Sequence, residues 1–324
     1  MASQTFRDVW GKVALRVPLA PASLVQDWVQ DAYDKLIGKR HWAWTRRETV
    51  LTTLAARTLT VTFTQGATAI TSAALFVASD IGRQIRVAQG PIYTIATRAD
   101  ASNATLTQVY AETGGAQTAQ IQDIYLVMPE NFRSIHDVTD LTIQRPIAWW
   151  ISTDRLDLFD PGRVSSDSRF RVLAAAHVSQ VPSLLGRITY EAWPFPTAVG
   201  SYILRYFIRT DTLVDDDVFQ GVLATQTRAL VQGALAQAAQ WPGTVTQRNP
   251  YFQIALAQTL REEFEVACKS LDVMDDDQYL MDLQQIDLAK FGLAAVSADT
   301  SLLRMTDAGS GDYYGGGFGG YGGP

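Results

Sequence analysis

The sequence predicts an α+β protein in which an antiparallel helical bundle forms the core, joined by a large inserted all-β module, a second β-rich segment and an extended C-terminal arm. Apolar residues recur at helical spacing on both sides of a middle region where they alternate with polar residues, and the chain ends in glycines and aromatics. The predicted parts are 1–48 with the first core helix, 49–127 as the β module, 128–210 as the β-rich segment, 211–273 with two long core helices, and 274–324 as the arm.

The first core helix is predicted from Pro21 to Ile37. Apolar residues recur there every three or four positions, which places them on one helical face. Ser23 can cap the start of this helix, and Gly38 can end it.

The β module is predicted from a change of period after Thr49. Leu59, Val61 and Phe63 alternate with threonines, and Gln65-Gly66 then predicts a turn. Further short strands are predicted at 85–87, 92–95, 105–107 and 124–127. Residues 145–209 form the second β-rich segment, broken by the turns Asp160-Pro161-Gly162 and Pro194-Phe195-Pro196.

Two further long helices are predicted near the C-terminal third of the chain. Helical spacing runs from Val218 to Ala234 after an acidic start at 215–217, and again from Asn249-Pro250 to Leu271. Helices joined by a short loop pair antiparallel. We expect the first helix, about 180 residues upstream, to pack on these two.

The charge distribution argues against a basic nucleic-acid binder. The formal net charge is -6, and residues 211–290 hold about thirteen acids and about five bases. DNA near this protein would be passed along and not gripped. One basic cluster, with interleaved aromatic residues, leaves contact with single-stranded nucleic acid as an alternative to a subunit contact or an exposed rim. Its members are Lys39, Arg40, His41, Trp42, Trp44, Arg46 and Arg47.

No catalytic, cofactor or metal site is predicted, and the protein is expected not to be an enzyme. Cys268 lies on an apolar helical stripe, which predicts a buried side chain. His41, His136 and His177 have no metal-ligand spacing, and neither a phosphate loop nor a nucleophile elbow occurs. No apolar run reaches eighteen residues and no signal peptide is recognisable, so we expect a soluble protein without a membrane partner.

A tail-associated glycan-binding protein or depolymerase remains an alternative function. The two carboxylates of a glycosidase can lie far apart in a chain, and eight tryptophans with abundant β-structure are compatible with this class. No internal repeat supports it. Trp149, Trp150 and Trp193 are interpreted as core or interface anchors before sugar platforms.

Seven short segments carry a resemblance to a known family. In chain order they are 78–87 (ASDIGRQIRV), 90–95 (GPIYTI), 128–132 (MPENF), 154–157 (DRLD), 160–163 (DPGR), 190–197 (YEAWPFPT) and 234–243 (ALAQAAQWPG). In their order and spacing, over residues 20–270, the chain resembles the head-to-tail adaptor (connector) proteins of tailed bacteriophages, which bind beneath the portal.

The resemblance implies a structural virion protein without an active site. Such proteins form a ring, usually of twelve copies, that joins the portal protein to a tail or nozzle protein and extends the channel for double-stranded DNA. The expected location is the neck of the virion, after assembly in the host cytoplasm, and the expected role is genome retention and ejection.

The C-terminal arm past Met274 does not match the family pattern. We expect it to dock on the portal or on a neighbouring copy, because a glycine and aromatic segment cannot form a core of its own. The expected anchors are Tyr279, Leu280, Phe291, Tyr313, Tyr314 and Phe318.

Overall fold

The structure is a computed structural model that describes residues 3–73, 75–244 and 247–285. The chain divides into two units, 1–272 and 273–324, and every contact given below lies within the first. The α-helices are α1 Phe6–Ala14, α2 Ala22–Lys39, α3 Thr153–Phe159, α4 Arg228–Ala238 and α5 Ile254–Gln285.

The strands, in chain order, are β1 Arg46–Thr53, β2 Arg57–Phe63, β3 Ala69–Ser72, β4 Gln84–Val87, β5 Ile92–Arg98, β6 Asn103–Leu106, β7 Gly115–Gln122, β8 Tyr125–Val127, β9 Phe132–Asp140, β10 Arg145–Pro146, β11 Ala148–Ser152, β12 Ser166–Asp167, β13 Val172–Val178, β14 Ile188–Trp193, β15 Phe195–Pro196 and β16 Gly200–Ile208.

Strands β2 to β7 close into an antiparallel barrel in the order β2-β3-β6-β5-β4-β7. The alternation that predicts these strands places every second side chain inside. Leu59, Val61 and Phe63 are therefore buried, while the threonines between them face outward. Gly66 turns the chain after β2 with a φ of 76°, a conformation that glycine adopts without strain. Because the barrel is closed, none of its strands has a free edge.

Two four-stranded sheets lie outside the barrel and share one hydrophobic cluster. The first sheet has the order β1-β16-β9-β10, and the second has the order β11-β13-β14-β8. Leu204 and Val138 from the first sheet pack in the same cluster as Leu173 and Leu126 from the second. Strand β1 pairs with β16 over its whole length, from Arg46 opposite Phe207 to Thr53 opposite Gly200.

Helices α1, α2, α4 and α5 share a separate hydrophobic cluster. The helix predicted from Pro21 to Ile37 is confirmed as α2, and its packing on the later helices is confirmed by the shared burial of Val29, Leu230 and Phe264. Arg133 of β9 attaches these helices to the first sheet, because it donates hydrogen bonds to the carbonyls that end α2, including that of Ile37 at 2.6 Å.

The predicted fold class is wrong. The described chain is mostly β-structure with a six-stranded closed barrel, and it is only 30% helical, so it is not a helical bundle core with an inserted β module. The physical reason is that the barrel and the two sheets bury hydrophobic clusters of their own. The strand-rich residues therefore do not decorate a helical core. Strands β1 and β8 lie within the range 49–127 or overlap it, yet they belong to the two sheets outside the barrel.

The acidic run 215–217 does not cap a helix, contrary to the prediction. Helix α4 begins later, at Arg228, after a short 3-10 turn at Gly221–Ala224. The carboxylate of Asp215 instead accepts hydrogen bonds from Trp10 Nε1 at 2.8 Å and from Gln26 Nε2 at 3.0 Å. The backbone nitrogen of Phe6 donates to the carbonyl of Asp217 at 2.8 Å. The run thus holds the N-terminal segment.

Asn249 also differs from its predicted role as the cap of the last helix. Its side-chain nitrogen donates to the carbonyls of Ala238 and Trp241, at 2.9 and 2.8 Å. These carbonyls lie at the C-terminal end of α4, where the backbone leaves acceptors without helical partners. Asn249 therefore closes the loop after α4, and α5 begins five residues later at Ile254.

Candidate functional site

The barrel joins the rest of the chain through two short linkers, and this junction is the candidate functional site. Residues 54–56 lead from β1 into the barrel, and residues 123–124 lead from the barrel into β8. Linkers this short cannot extend far. The side chains around them therefore decide how the barrel is held.

One buried ion pair ties the two linkers together. Arg83, which is 5% exposed, donates from Nε to Oδ1 of Asp123 at 2.7 Å. The same guanidinium donates to the carbonyls of Leu54 and Ala55 in the other linker, at 3.3 and 2.9 Å. Oδ2 of Asp123 accepts from the backbone nitrogen of Leu54 at 2.5 Å. A single salt bridge thus satisfies backbone groups of both linkers, as a buried pair requires.

A second carboxylate supports the same cation from within the barrel. Asp80 is fully buried, accepts from the backbone nitrogen of Val77 at 2.8 Å, and pairs with the guanidinium of Arg57. Its Oδ1 lies 3.6 Å from Nη1 of Arg83. The two arginines and two aspartates have no net charge as a group, which is the condition under which charges are buried in proteins.

Gln84 connects β4 to the start of β8. Its side-chain oxygen accepts from the backbone nitrogens of Ile124 and Tyr125, both at 2.8 Å, and its nitrogen donates to the carbonyl of Gly82 at 2.8 Å. The side chain is 1% exposed. It therefore satisfies backbone donors that a neighbouring strand would otherwise accept from.

Arg86 fastens the other side of the barrel to the loop after α3. Its guanidinium donates to the carbonyls of Gln89 and Gly90 within the barrel, at 2.8 and 2.7 Å. It also donates to the carbonyls of Gly162 and Arg163, at 2.8 and 2.5 Å. Burial lowers the pKa of this guanidinium, although the charge of Asp160 opposes the shift.

The loop that receives Arg86 is itself held by Asp160. Its carboxylate accepts from the backbone nitrogens of Val164 and Ser165, at 3.0 and 2.9 Å, and from Trp193 Nε1 at 3.1 Å. Burial alone would raise the pKa of Asp160, but these donors outweigh it and lower the pKa to about 2. Arg163 next to it pairs with Glu191 of β14 and, at 2.6 Å, with Asp157 of α3.

The segments that carry the family resemblance meet at this junction. Segment 78–87 supplies Asp80, Arg83, Gln84 and Arg86, and 90–95 supplies the Gly90 carbonyl. Segments 160–163 and 190–197 supply the loop and its partners on β14. Segment 128–132 places Met128 and Phe132 in the cluster between the sheets, and 234–243 contributes to the helical cluster.

A cleft of about 260 Å³ lies beside the junction, between the barrel and the second sheet. Its barrel wall includes Thr94, Thr107 and Gln108, and its sheet wall includes Tyr125 and His177. The imidazole of His177 packs edge-on against the ring of Tyr125, with ring centres 4.6 Å apart. The cleft is thus lined mainly by hydroxyl, amide and aromatic groups.

The basic cluster predicted near the end of α2 faces carboxylates of α5. Nζ of Lys39 lies 2.5 Å from Glu265, and Arg40 pairs with Asp272. Arg47 donates to the side chain of Gln220 at 2.7 Å. These contacts use three of the four cations within the protein, which disfavours the alternative that the cluster binds single-stranded nucleic acid.

The remaining predicted residues have different surroundings. Cys268 is confirmed as a core residue, and burial raises the pKa of its thiol to about 11. Trp149 packs on the cluster between the sheets, Trp193 on a small cluster beside α3, and Trp150 is 73% exposed. In the described residues, no group of three or more His, Cys, Asp or Glu side chains is placed to hold a metal.

The predicted portal anchors fall largely outside the described residues. Tyr279 and Leu280 lie on the helical backbone of α5, but their side chains are not described. Phe291, Tyr313, Tyr314 and Phe318 lie beyond residue 285. Among the helices that are described, none is long and apolar enough to cross a membrane.

Sequence reasoning missed the buried polar network at the junction. A signal was available, since Asp80, Arg83 and Gln84 interrupt an otherwise apolar and small-residue stretch next to a predicted strand. Their partners, Asp123 and Leu54, are 29 to 69 residues away in the chain, so local pattern could not pair them. Comparison with protein-family models and with curated protein sequences finds no match for this chain.

Proposed function

We propose that this protein is a non-enzymatic head-to-tail adaptor of a tailed bacteriophage. In this proposal, copies of the chain form a ring, typically dodecameric, that binds beneath the portal protein and presents a platform to a tail or nozzle protein. The ring extends the DNA channel and serves genome retention and ejection. The protein acts in the neck of the virion after assembly in the host cytoplasm.

The observation that carries the proposal is the ordered set of resembling segments together with their position. Four of the seven contribute to the junction that fixes the barrel, and two others contribute to hydrophobic clusters. Residues such as Asp80 and Arg83 are needed there for a structural reason, because each would be a costly buried charge without its partners. Similarity in these segments therefore supports a shared joint between barrel and body, beyond a shared composition.

Exposed apolar side chains offer surface for contacts between copies. Trp150, Leu158 and Phe159 are 73%, 83% and 70% exposed, and they lie on β11 and α3. Large exposed apolar groups of this kind typically mark interaction surfaces. A ring requires two different surfaces on each copy, because its contacts run head to tail. These side chains suit one of the two.

The acidic C-terminal third fits a channel through which DNA passes without specific binding. Residues 211–290 hold about thirteen acids against about five bases. Contacts between cations and phosphates would hold the duplex through counterion release, whereas an acidic wall avoids them. In this proposal double-stranded DNA is a passenger in the lumen and not a ligand.

The arm from Met274 to Pro324 is proposed to dock on the portal or on an adjacent copy. Tyr279, Leu280, Phe291, Tyr313, Tyr314 and Phe318 are the proposed anchors, since exposed aromatics contribute most to binding interfaces. A chain truncated after Val273 should fail to bind the portal, while a chain truncated after Gln285 separates the part of the arm within α5 from the rest. Unchanged portal binding by both truncated chains would contradict this role.

The proposal is tested by mixing the full chain with its portal protein and measuring the mass of the complex. The expected result is one ring of adaptor copies per portal, with twelvefold symmetry in electron micrographs. The contrary result is a chain that stays monomeric beside the portal and cleaves a polysaccharide, which would favour the depolymerase alternative. A catalytically silent monomer would equally count against the adaptor.

A further inference from the structure

The cleft between the barrel and the second sheet contains two kinds of polar group. Gln84, Ser179 and Thr189 form its frame and use their hydrogen-bonding capacity within the protein. Gln84 binds the start of β8, Ser179 Oγ accepts from the nitrogen of Val181 at 3.3 Å, and the Thr189 hydroxyl donates to the His177 carbonyl at 2.5 Å. The frame is therefore fixed without a ligand.

The other polar side chains in the cleft are available to a ligand. Within the residues that the structure describes, no protein hydrogen bond is formed by the side chains of Thr94, Thr107, Gln108, Tyr125 and His177. They come from both walls and line one space. Together they offer hydroxyl, amide and imidazole groups, each of which can donate or accept.

The cleft carries no net charge. None of the described residues that line it is acidic or basic apart from His177. Partial burial lowers the pKa of His177, although the charge of Glu191 opposes the shift, so the imidazole is neutral at pH 7. Glu191 itself is paired with Arg163. A phosphate or carboxylate ligand would find no cation here, and an ammonium ligand would find no unpaired carboxylate.

We propose that this cleft binds one neutral sugar unit of a glycan. Sugar hydroxyls both donate and accept, which matches the free side chains of the two walls. The Tyr125 ring adds an apolar surface with a polar tip, which suits the apolar face of a pyranose. The volume of about 260 Å³ equals about nine water molecules at ~30 Å³ each, enough for one pyranose ring. This site is independent of ring formation, so it goes beyond the adaptor role.

The test is saturation-transfer NMR on the full chain with methyl α-D-glucopyranoside, methyl β-D-galactopyranoside, mannose and N-acetylglucosamine as separate probes. At least one probe is expected to bind with a dissociation constant on the order of 1 mM, as is typical of a single small ligand. The paired substitution Gln108→Ala with His177→Ala should weaken that binding at least tenfold. Both side chains are exposed and have no protein hydrogen bond to lose in the described chain, so folding should be unaffected.

The matched control is Gln120→Ala, which removes an exposed glutamine from the outside of β7, away from the cleft. Its sugar binding should equal that of the unmodified chain. The proposal is overturned when no probe binds, when the paired substitution leaves binding unchanged, or when inorganic phosphate displaces the sugar at equal concentration. None of these results bears on assembly with the portal, so this proposal and the adaptor role can fail separately.

Discussion

Arg83 is the residue through which both linkers of the barrel are held, because its guanidinium contacts Asp123, Leu54 and Ala55 together. Replacing Arg83 with Leu leaves the Asp123 carboxylate buried without its cation. We expect the free energy of unfolding to fall by about 3–5 kcal/mol, measured by urea denaturation.

The control for this prediction is an exposed ion pair of the same chemistry. Arg171 pairs with Asp167 at 2.8 Å, but the two side chains are 74% and 38% exposed. Arg171→Leu should therefore change stability by less than about 1 kcal/mol. Equal losses for the two substitutions would show that the junction pair contributes no more than a surface pair.

Asp160 makes the loop after α3 sensitive to acid. The folded state lowers the pKa of its carboxyl from 3.8 to about 2. A lowered pKa stabilises the folded state above the unfolded pKa, and this stability is lost as the pH falls from about 4 to about 2. Asp160→Asn should cost about 2 kcal/mol at pH 7, and the difference from the unmodified chain should shrink towards zero near pH 2. Chemical denaturation at a series of pH values measures this difference. A constant difference down to pH 2 would exclude the mechanism.

At the level of secondary-structure elements, the closest approach of three helices occurs at Gly233 of α4. A Cβ built at this position would lie 2.8 Å from Ala32 Cβ of α2 and 3.0 Å from Phe264 Cδ2 of α5. Gly233→Ala should therefore destabilise the protein by about 1–3 kcal/mol through overpacking, even though alanine is the better helix former.

Gly11 of α1 provides the opposite case. A Cβ at Gly11 meets nothing within 4 Å. Gly11→Ala should stabilise the protein by about 0.5–1 kcal/mol, because helix propensity acts there without a clash. Thermal unfolding of both variants compares the two effects, and a loss of stability for Gly11→Ala would show that the helix ends constrain this site more than the space around it indicates.

Local pattern predicted those elements whose burial depends on their own neighbours in the chain. The spacing of Leu24 to Ile37 predicted α2, and the alternation of Leu59, Val61 and Phe63 predicted β2. The pairing of β1 with β16 was not predictable, because it joins strands about 150 residues apart whose alternation is compatible with many partners. The same limit applies to the junction, where Arg83 and Asp123 meet only once the barrel has closed. The cleft depends on three separate strand pairs and left no local pattern.

At the level of the whole molecule, the barrel is expected to behave as a rigid projection and not as a tethered domain. Both linkers use their backbone groups in hydrogen bonds, including Ala56 nitrogen to the Thr197 carbonyl at 3.0 Å. Backbone held in this way resists proteases. Limited digestion with thermolysin should release no fragment near 57–122 from the unmodified chain.

The Arg83→Leu chain should release such a fragment under the same conditions, since its linkers lose the guanidinium that holds their carbonyls. Mass spectrometry of the digest identifies the fragment. Release at equal rates from both chains would show that the linkers are open regardless of the salt bridge.

The attachment of the N-terminal segment to residues 215–217 has a consequence for the order in which the chain folds. Helices α1 and α2 leave the ribosome early, yet their partners Asp215, Leu230 and Phe264 are synthesised last. All strands of the barrel lie within 57–122, so its contacts can form while the remainder is still being translated. The nascent chain therefore carries a finished barrel between two unfinished ends, and the amphipathic faces of its first helices stay exposed until translation is nearly complete.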